Sequence, residues 1–495
     1  MGGKGRKIFS NFAASIMADI ITIRKGLDIP IAGAAEQRIT NALGIDTYAV
    51  KPTDFVGVVP RLCVAEGDAV ATGDALFVDK NDERIRFTSP VSGWVKAIVR
   101  GEKRRLEAVI VEAEKKDATA VFDIPQNAEE IKALMLRCGL WTMLRQRPFG
   151  VVAHPDNQPK AVFVSAFDTA PLTPDYDFVL QGKEEFFKKG LEALAKLTSG
   201  KVHVCFRPNQ RLAKHLSPIN SQFSIFNSQF STHLVKGPHP SGNIGTQIAH
   251  IDPINKGEVV WTMNPQDVVV LGELVATGVY RPEKMIAVAG PHIKNPHYYR
   301  IKTGACMADI VNGQVLNPDY PKMASDETMK GNRIISGNIL SGTQIAPDGF
   351  IGAYDSLLSI LPEGDYYDFM GWLMPGFKKF SFSRTFLSGF FAPLTSHLSI
   401  FNSQFSILNF DTNTHGDVRP LVFTGNFERV FPFDIYPTQL IKACVVGDID
   451  LMEQLGIYEV EPEDFALCEF IDVSKTEIQS IIRNGLEQIR KEGVG

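Results

Sequence analysis

The sequence predicts a multidomain α/β protein with a β-rich N-terminal part, an α/β middle part and a helical C-terminal part. At 495 residues the chain is long enough for roughly two to four domains. Short strands bounded by turns fill residues 55–112, whereas strands and amphipathic helices alternate between residues 128 and 206. Lys475–Glu492 has the pattern of an amphipathic helix.

Composition and charge narrow the function classes. The 51 basic and 56 acidic residues give a net charge of −5, which disfavours a nucleic-acid-binding surface. No run approaches the roughly 20 apolar residues of a membrane helix, so we expect a chain that can only dock on a membrane partner. The six cysteines are scattered without a CxxC pair, which excludes a conventional Cys₄ zinc or iron–sulfur site and is typical of a reducing cytoplasm.

The first domain is predicted to span residues 17–120. Residues 1–16 lack the hydrophobic core and cleavage site of a signal peptide, so we interpret them as an upstream extension without a role in the fold. Met17 directly precedes a predicted strand at Ile20–Ile23.

Residues 55–112 contain the turns Glu66-Gly67-Asp68 and Thr72-Gly73-Asp74, followed by SPVSG and a strand from Trp94. This pattern resembles the flattened, lipoyl-like barrel (barrel-sandwich) of biotinyl and lipoyl carrier domains. Lys80 lies where a carrier domain places its modified lysine, but the surrounding carrier motif is missing. Lipoylation of Lys80 is therefore rejected in favour of an ordinary exposed lysine.

A Rossmann-like α/β domain is predicted for residues 125–280. Strands at Lys160–Ser165 and Lys201–Phe206 flank a helix at Glu184–Leu197, which predicts a parallel α/β unit. A second unit is predicted with a strand at Val268–Leu271, a short helix to Tyr280 and a strand at Met285–Ala289. The loop after Ser165 has no glycine, so we predict no Rossmann or P-loop phosphate site.

Gly237–Trp261 is predicted to be a stiff, shaped loop, because proline fixes φ and glycine permits positive φ. Gly242-Asn243-Ile244-Gly245 is only a fragment of GxGxxG, and Asp252-Pro253 follows it rather than a long helix. We interpret this segment as a connector between the α/β domain and the unit that follows. Shaped loops also carry function more often than regular elements do, so contact with a ligand stays open.

Residues 281–346 carry a V-x-G-x-x-x-x-P-x-x-Y pattern that resembles the soluble-ligand-binding β-grasp (SLBB) domain. Residues 411–495 are predicted to form a C-terminal helical domain. The octapeptide SIFNSQFS occurs at Ser224–Ser231 and again at Ser399–Ser406. Such a polar repeat is typical of loop insertions, so residues 217–232 and 377–410 are interpreted as foreign repeat insertions, the second one as an insertion or a disordered segment.

Taken together, ITIRKGLDIPIAGA, the barrel, GPHPSGNIGTQ with HIDPINKGEVVW, and FPFDIYPTQLIKA with LGIYEVEPEDFALCEFIDVSK resemble the A-subunit family of Na⁺-translocating NADH:quinone oxidoreductases. The resemblance runs from about residue 20 to residue 491. It implies a peripheral protein on the cytoplasmic face of the bacterial inner membrane, with five partner subunits, B to F. It further implies a complex that uses FAD, a 2Fe–2S centre, FMN, riboflavin and ubiquinone and that exports Na⁺. The fold is expected to be similar to the flavin subunit of complex I and to the Rnf C subunit.

The sequence departs from those relatives where their cofactors bind. The complex I relative holds FMN with a GRGGAGF-type loop, whereas the matching stretch here is Gln146–Val152, which has one glycine and a proline. It cannot offer the run of free N–H groups that a phosphate needs. The frames that match the cluster-binding cysteines of the Rnf relative hold only Cys444 and Cys468. One thiolate per frame cannot hold a 4Fe–4S cluster, so we expect this chain to bind no redox cofactor and no metal.

Two functions from different classes remain. In the first, the chain contributes to binding or reduction of ubiquinone or menaquinone, and His239, Asn243 and His250 are the candidate quinone-binding residues. In the second, it is a structural docking subunit without substrate contact. No catalytic residue is assigned, and no complete active site is expected in this chain alone.

Overall fold

A computed structural model describes residues 20–114, 120–216, 229–312, 314–316, 331–367, short stretches between 370 and 386, 410–422 and 424–492. The predicted extension 1–16, most of the predicted insertions 217–232 and 377–410, and residues 493–495 lie outside the described residues.

The strands are β1 (Ile20–Thr22), β2 (Glu36–Asn41), β3 (Thr47–Val50), β4 (Pro60–Leu62), β5 (Ala69–Val70), β6 (Ala75–Asp79), β7 (Arg86–Thr88), β8 (Gly93–Arg100), β9 (Leu106–Ala113), β10 (Ala120–Val121), β11 (Arg145–Arg147), β12 (Val151–Val152), β13 (Ala161–Ser165), β14 (Lys201–Phe206), β15 (Phe230–Lys236), β16 (Val260–Thr262), β17 (Val279–Tyr280), β18 (Glu283–Ala289), β19 (His297–Lys302), β20 (Asn332–Ser336), β21 (Thr343–Ile345) and β22 (Leu357–Pro362).

The α-helices are α1 (Ala128–Cys138), α2 (Tyr176–Val179), α3 (Glu184–Lys196), α4 (Arg211–Leu216), α5 (Ile244–Ile251), α6 (Pro265–Thr277), α7 (Ala308–Val311), α8 (Phe427–Val430), α9 (Pro437–Val446), α10 (Ile449–Gln454), α11 (Ala466–Ile471) and α12 (Ile478–Glu492). Single 3₁₀ turns lie at Pro52–Asp54, Glu102–Arg104, Leu140–Met143, Ile457–Glu459 and Pro462–Phe465.

Residues 47–113 form a flattened barrel from two small sheets, with strand orders β3-β9-β8-β5 and β4-β6-β7. Gly67 and Gly73 both adopt a φ of +91°, so glycine supplies the tight turns that bracket β5. The rings of Phe77 and Phe87 stack 4.6 Å apart in its core. Lys80 is exposed in the turn that follows β6.

The α/β domain is built on a seven-stranded sheet with the order β1-β15-β14-β13-β16-β11-β12. The first five strands in that order are parallel, and β11 pairs in an antiparallel manner with both of its neighbours, β16 and β12. The predicted strand near Ile20 therefore belongs to this sheet rather than to the barrel. Residues 230–232, at the end of the predicted insertion 217–232, begin β15 and are part of the sheet as well.

The second predicted α/β unit is wrong in detail. Residues 268–271 lie inside helix α6, and the strand of this unit is β16, which precedes the helix. A buried helix and a buried strand are both continuously apolar, so periodicity could not separate them. Asn264 caps α6 by accepting a hydrogen bond from the Gln266 N–H at 2.9 Å.

The third unit is a six-stranded sheet with the order β2-β19-β18-β22-β20-β21. Strand β18, which contains Met285–Ala289, belongs here and not to the α/β sheet. The N-terminal strand β2 pairs in parallel with β19. Strand β22 follows the predicted end of this unit at residue 346 and lies in the middle of the sheet, between β18 and β20.

Residues 427–492 form helices around a hydrophobic cluster of their own, whose fully buried members include Phe431, Leu440, Phe465 and Ile482. The rings of Phe380 and Phe410, at either end of the predicted insertion 377–410, lie 5.5 and 6.5 Å from the ring of Phe470. None of the described helices is both long and apolar enough to cross a lipid bilayer.

Candidate functional site

A cleft of about 260 Å³ lies where the α/β domain, the third sheet and the C-terminal helices meet. Ser165 ends β13 and Asp168 follows it, whereas Thr262 ends β16 and Asn264 follows it, so the carboxyl ends of two parallel strands line the cleft. The chain leaves β13 toward β14 on one side and returns through α5 to β16 on the other side. The cleft therefore lies at the point where strand order reverses, which is where open α/β sheets bind ligands.

Three other parts of the chain contribute to the walls. The turn after β20 contributes residues 337–342, and the loop before β22 contributes residues 354–357. Glu463 and Ala466 of the C-terminal helical part face the same space. Apolar side chains line much of the cleft and alternate with polar groups; they are Met143, Phe167, Pro174, Ile244, Met263, Leu340 and Leu357.

The segment that begins at Gly237 leads from β15 into helix α5. The prediction that it connects the α/β domain to the third unit is therefore wrong, because both of its ends lie within the α/β domain. No long helix follows Gly245, but the eight-residue helix α5, which starts at Ile244, was not predicted. Sequence reasoning missed this helix because it is short and most of its residues are apolar.

The loop before α5 is held by the N-terminal segment. The His239 N–H donates to the Asp28 carboxylate at 2.9 Å, and the His239 carbonyl accepts from the Leu27 N–H at 2.8 Å. The Gly242 N–H donates to the Thr169 hydroxyl at 2.8 Å. A side chain at Gly242 would collide with the Asp168–Thr169 backbone, so glycine is required there.

The structure brings two of the three predicted site residues to the cleft. His239 is 3% exposed, and its Nδ1 lies 3.2 Å from the Thr169 hydroxyl. Burial lowers the pKa of His239 to about 4, so its ring is neutral at physiological pH. Asn243 occupies the N-cap position of α5 without making a side-chain capping bond, and its Nδ2 lies 3.5 Å from the Glu463 carbonyl.

His250 lies outside the cleft. It is exposed in the last turn of α5, and its Nδ1 lies 2.8 Å from the Thr246 carbonyl one turn earlier. The helical periodicity of α5 separates it from Asn243 by almost two turns, so sequence proximity gave a misleading grouping.

Several polar residues of the cleft were not predicted. Burial raises the pKa of the Asp168 carboxyl, which accepts a hydrogen bond from the Ala170 N–H at 2.9 Å. The Asn264 amide donates to the Tyr176 hydroxyl at 3.0 Å. Their shared sequence signal was available: Asp168 and Asn264 both follow directly after a buried parallel strand.

A buried ion cluster lies beside the cleft and joins β11 to the C-terminal helices. Arg147 is 2% exposed, and its guanidinium lies 3.2 Å from Glu461, 2.7 Å from Glu463 and 3.1 Å from Asp464. Arg145 lies 3.0 Å from Glu461. We call these five residues the Arg147 cluster.

Two carboxyls of the Arg147 cluster titrate in opposite directions. Burial raises the pKa of Asp464 to about 7, although Arg147 opposes this shift. Burial also acts on Glu461, but Arg147, Arg145 and Arg483 together hold its pKa below the usual value. The difference follows from the number of guanidinium groups that face each carboxyl.

Among the described residues, one group has metal-ligand spacing, namely Asp82, His154 and Asp156. It lies on the surface, and the guanidinium of Arg84 already bridges the two carboxylates with contacts of 2.6 Å to each. Cys444 and Cys468 are free thiols, and burial raises the pKa of Cys444 to about 12. Burial also raises the pKa of Cys468.

Comparison with known proteins identifies the family. The domain described as "NqrA N-terminal barrel-sandwich hybrid domain" matches residues 21–114, "NqrA second alpha/beta domain" matches residues 126–280, and "NQRA C-terminal domain" of SLBB type matches residues 285–346. The A subunit of the Na(+)-translocating NADH-quinone reductase of Yersinia pseudotuberculosis serotype I (strain IP32953) is 37% identical over 96% of this chain and 100% of its own length. This chain belongs to the NqrA family, the A subunits of Na(+)-translocating NADH-quinone reductases. The predicted family and the predicted barrel-sandwich, α/β and SLBB domains are thereby confirmed.

Other relatives agree across the same length. The corresponding A subunits of Rhodopirellula baltica (strain DSM 10527 / NCIMB 13988 / SH1) and Klebsiella pneumoniae (strain 342) are 36% and 37% identical, each over 96% of this chain and at least 99% of the relative. Among solved structures, an NAD+-reducing [NiFe]-hydrogenase in the H2-reduced state is similar with a TM-score of 0.37 and 12% identity, over 74% of this chain and 61% of that chain. At this TM-score the similarity supports no functional conclusion.

Proposed function

We propose that this chain is the peripheral member of a Na⁺-translocating NADH:quinone oxidoreductase and contributes to quinone binding in the three-domain cleft. In this proposal the complex exports Na⁺ from the cytoplasm, and the chain lies on the cytoplasmic face of the bacterial inner membrane beside its five partners, B to F. The observation that carries the proposal is the composition of the cleft, in which apolar side chains alternate with polar groups around the neutral ring of His239 and the amide of Asn243.

The chemistry of a quinone head group fits those groups. Its ring is apolar, and its two carbonyl oxygens only accept hydrogen bonds, so the site needs a slot with one or two donors. Asn243 Nδ2 is a hydrogen-bond donor at the N-terminus of α5. The Thr169 hydroxyl accepts from Gly242 and is able to donate to His239 Nδ1, which leaves the His239 Nε2 as the protonated nitrogen.

The residues present do not fit a flavin phosphate at Gln146–Val152. The Arg147 guanidinium is already engaged by three carboxylates, and the Glu461 carboxylate lies against Gly150. The carboxyls of the Arg147 cluster compete with a phosphate for the guanidinium groups of Arg145 and Arg147. We therefore assign FAD, the 2Fe–2S centre, FMN and riboflavin of the complex to partner subunits.

Photolabelling of the assembled complex with an azido-ubiquinone tests the proposal. Labelled peptides from residues 237–243 or 337–342 are the expected result. Label on other subunits alone would leave this chain as a structural docking subunit without substrate contact, which is the alternative function.

Substitution sharpens the test. His239→Ala is expected to weaken quinone binding about fivefold in the assembled complex, because one hydrogen bond contributes about 1 kcal/mol. His250→Ala is the matched control, since its ring lies outside the cleft on the same loop–helix segment. Equal affinities of the two variants would remove His239 from the proposed site.

A further inference from the structure

A second depression lies on the C-terminal helices and shares no lining residue with the cleft. It has a volume of about 530 Å³ and is formed by three parts of the chain: the loop at 418–421, the end of α9 and the loop at 475–477. We call it the C-terminal groove. Its apolar lining consists of Val418, Leu421, Val445 and Val446.

The apolar side chains of the groove are unusually exposed. Val418, Val445 and Val446 are 78%, 60% and 73% exposed, and the neighbouring Val422 and Val473 are each 53% exposed. Helix α9 does not need these valines for its own packing, because it buries the opposite face through Leu440, Ile441 and Ala443. Contiguous exposed apolar surface of this kind marks an interaction site.

The groove is formed before any partner arrives. The Arg419 N–H donates to the Ser474 carbonyl at 2.9 Å, and the Val422 N–H donates to the Ser474 hydroxyl at 3.1 Å. The buried Asp472 carboxylate accepts from the N–H groups of Ser474 and Thr476 at 3.1 and 2.9 Å. Binding therefore needs little ordering of the chain, which lowers its entropic cost.

Charge indicates what the groove accepts. Three of its lining residues, Arg419, Lys442 and Lys475, are basic and one, Glu477, is acidic, although the whole chain carries a net charge of −5. A positive rim around an apolar floor is complementary to an apolar segment flanked by Asp or Glu. A lipid surface fits less well, because the chain as a whole carries a net charge of −5, which an anionic bilayer repels.

We propose that the C-terminal groove receives an apolar, acid-flanked segment of another subunit of the complex and so docks this chain, an inference that rests on the proposed function. Valine side chains suit this role because their single torsion loses little entropy on burial. The basic rim sets the orientation of the segment and makes the contact sensitive to salt.

The test purifies the complex through a tag on another subunit, from cells that carry variants of this full-length chain. Val445→Glu with Val446→Glu is expected to reduce the co-purified chain by about tenfold or more, the effect of losing interface anchors. Lys442→Glu with Lys475→Glu is expected to weaken retention at low salt and to remove the further loss that the wild-type chain shows as salt is raised, because the attraction that salt screens is gone. Val121→Glu, at a 70% exposed position on β10, is the control and is expected to be retained. Thermal unfolding of each purified full chain establishes that the variants fold.

Other results would overturn the proposal. Retention of the folded Val445→Glu/Val446→Glu chain at the wild-type level would show that the groove does not dock it. Binding of the wild-type chain, but not the variant, to phosphatidylglycerol vesicles would assign the groove to lipid. A change in the mass of the isolated chain from dimer in the wild type to monomer in the variant would assign the groove to a second copy of this chain. Faster proteolysis at residues 387–409 in the variant would assign the groove to that segment of this chain. Photolabelling by quinone is read separately, so loss of docking and failure of the quinone proposal are distinguishable.

Discussion

Replacement of Arg147 by methionine probes a buried electrostatic contact between the α/β domain and the C-terminal helices. In the native chain its guanidinium is 2% exposed and lies within 3.2 Å of Glu461, Glu463 and Asp464. Methionine fills a similar volume without the charge, so two buried carboxyls lose their main countercharge. Breaking a buried pair from one side costs about 3–5 kcal/mol, and we expect the free energy of unfolding to fall by that amount at pH 8.

The loss in free energy of unfolding caused by Arg147→Met should depend on pH. Without Arg147, the folded-state pKa of Glu461 and that of Asp464 both rise, because burial then acts with less opposition. Carboxyls with raised folded-state pKa values destabilise the fold when they ionise, so the deficit is largest at pH 8 and shrinks toward pH 5.

Urea unfolding of the full chain, followed by tryptophan fluorescence at pH 8 and pH 5, measures both effects. Arg84→Met is the matched control, because Arg84 also bridges two carboxylates but has a side chain 47% exposed. We expect Arg84→Met to lower the free energy of unfolding by less than about 1 kcal/mol. The reasoning is refuted if Arg147→Met costs no more than Arg84→Met, or if its deficit does not change with pH.

Two further substitutions test the packing of the α/β domain and the titration of the Arg147 cluster. Gly272→Ala in α6 places a methyl group against the Phe186 carbonyl of α3, and we expect the free energy of unfolding to fall by about 1–3 kcal/mol. Gly44→Ala is the control, because its methyl group meets open space and should change the free energy of unfolding by less than about 0.5 kcal/mol. Equal effects of the two substitutions in urea unfolding would contradict this packing argument. Burial raises the pKa of Asp464 from 3.8 to about 7, so the stability of the native chain should decrease as pH rises from about 4 to about 7, and Asp464→Asn should remove that part of the dependence. An unchanged slope of the unfolding midpoint against pH in the Asn variant would show that another group is responsible.

The local elements that the sequence predicted best are those with strong periodicity or turn chemistry. Helix α3 is predicted at Glu184–Leu197 and observed at Glu184–Lys196, and the glycine turns of the barrel have the positive φ that their sequence requires. The element at residues 268–271 was assigned the wrong type because β-branched residues also fill fully buried helices.

The candidate site was predictable only in part. His239 and Asn243 line the cleft, but His250 does not. Asn243 is the N-cap of α5 and His250 lies in its last turn, so the two residues have different surroundings. Asp168, Asn264 and the residues after β20 come from three distant parts of the chain. Their spacing in the sequence cannot show that they line the same cleft, because the order of the strands in the sheet determines which residues meet there.

The sequence by itself determined the family and the order of the three domains that the family comparison matches. These properties depend on residue identity at positions close together in the chain. Only the tertiary structure decided that Ile20–Thr22 and Glu36–Asn41 leave the N-terminal domain to pair with two other sheets, because backbone hydrogen bonds between strands do not depend on side-chain identity. The same structure decided that Arg147 faces three carboxylates more than 300 positions away in the chain, a contact set by how the C-terminal helices pack on the α/β domain.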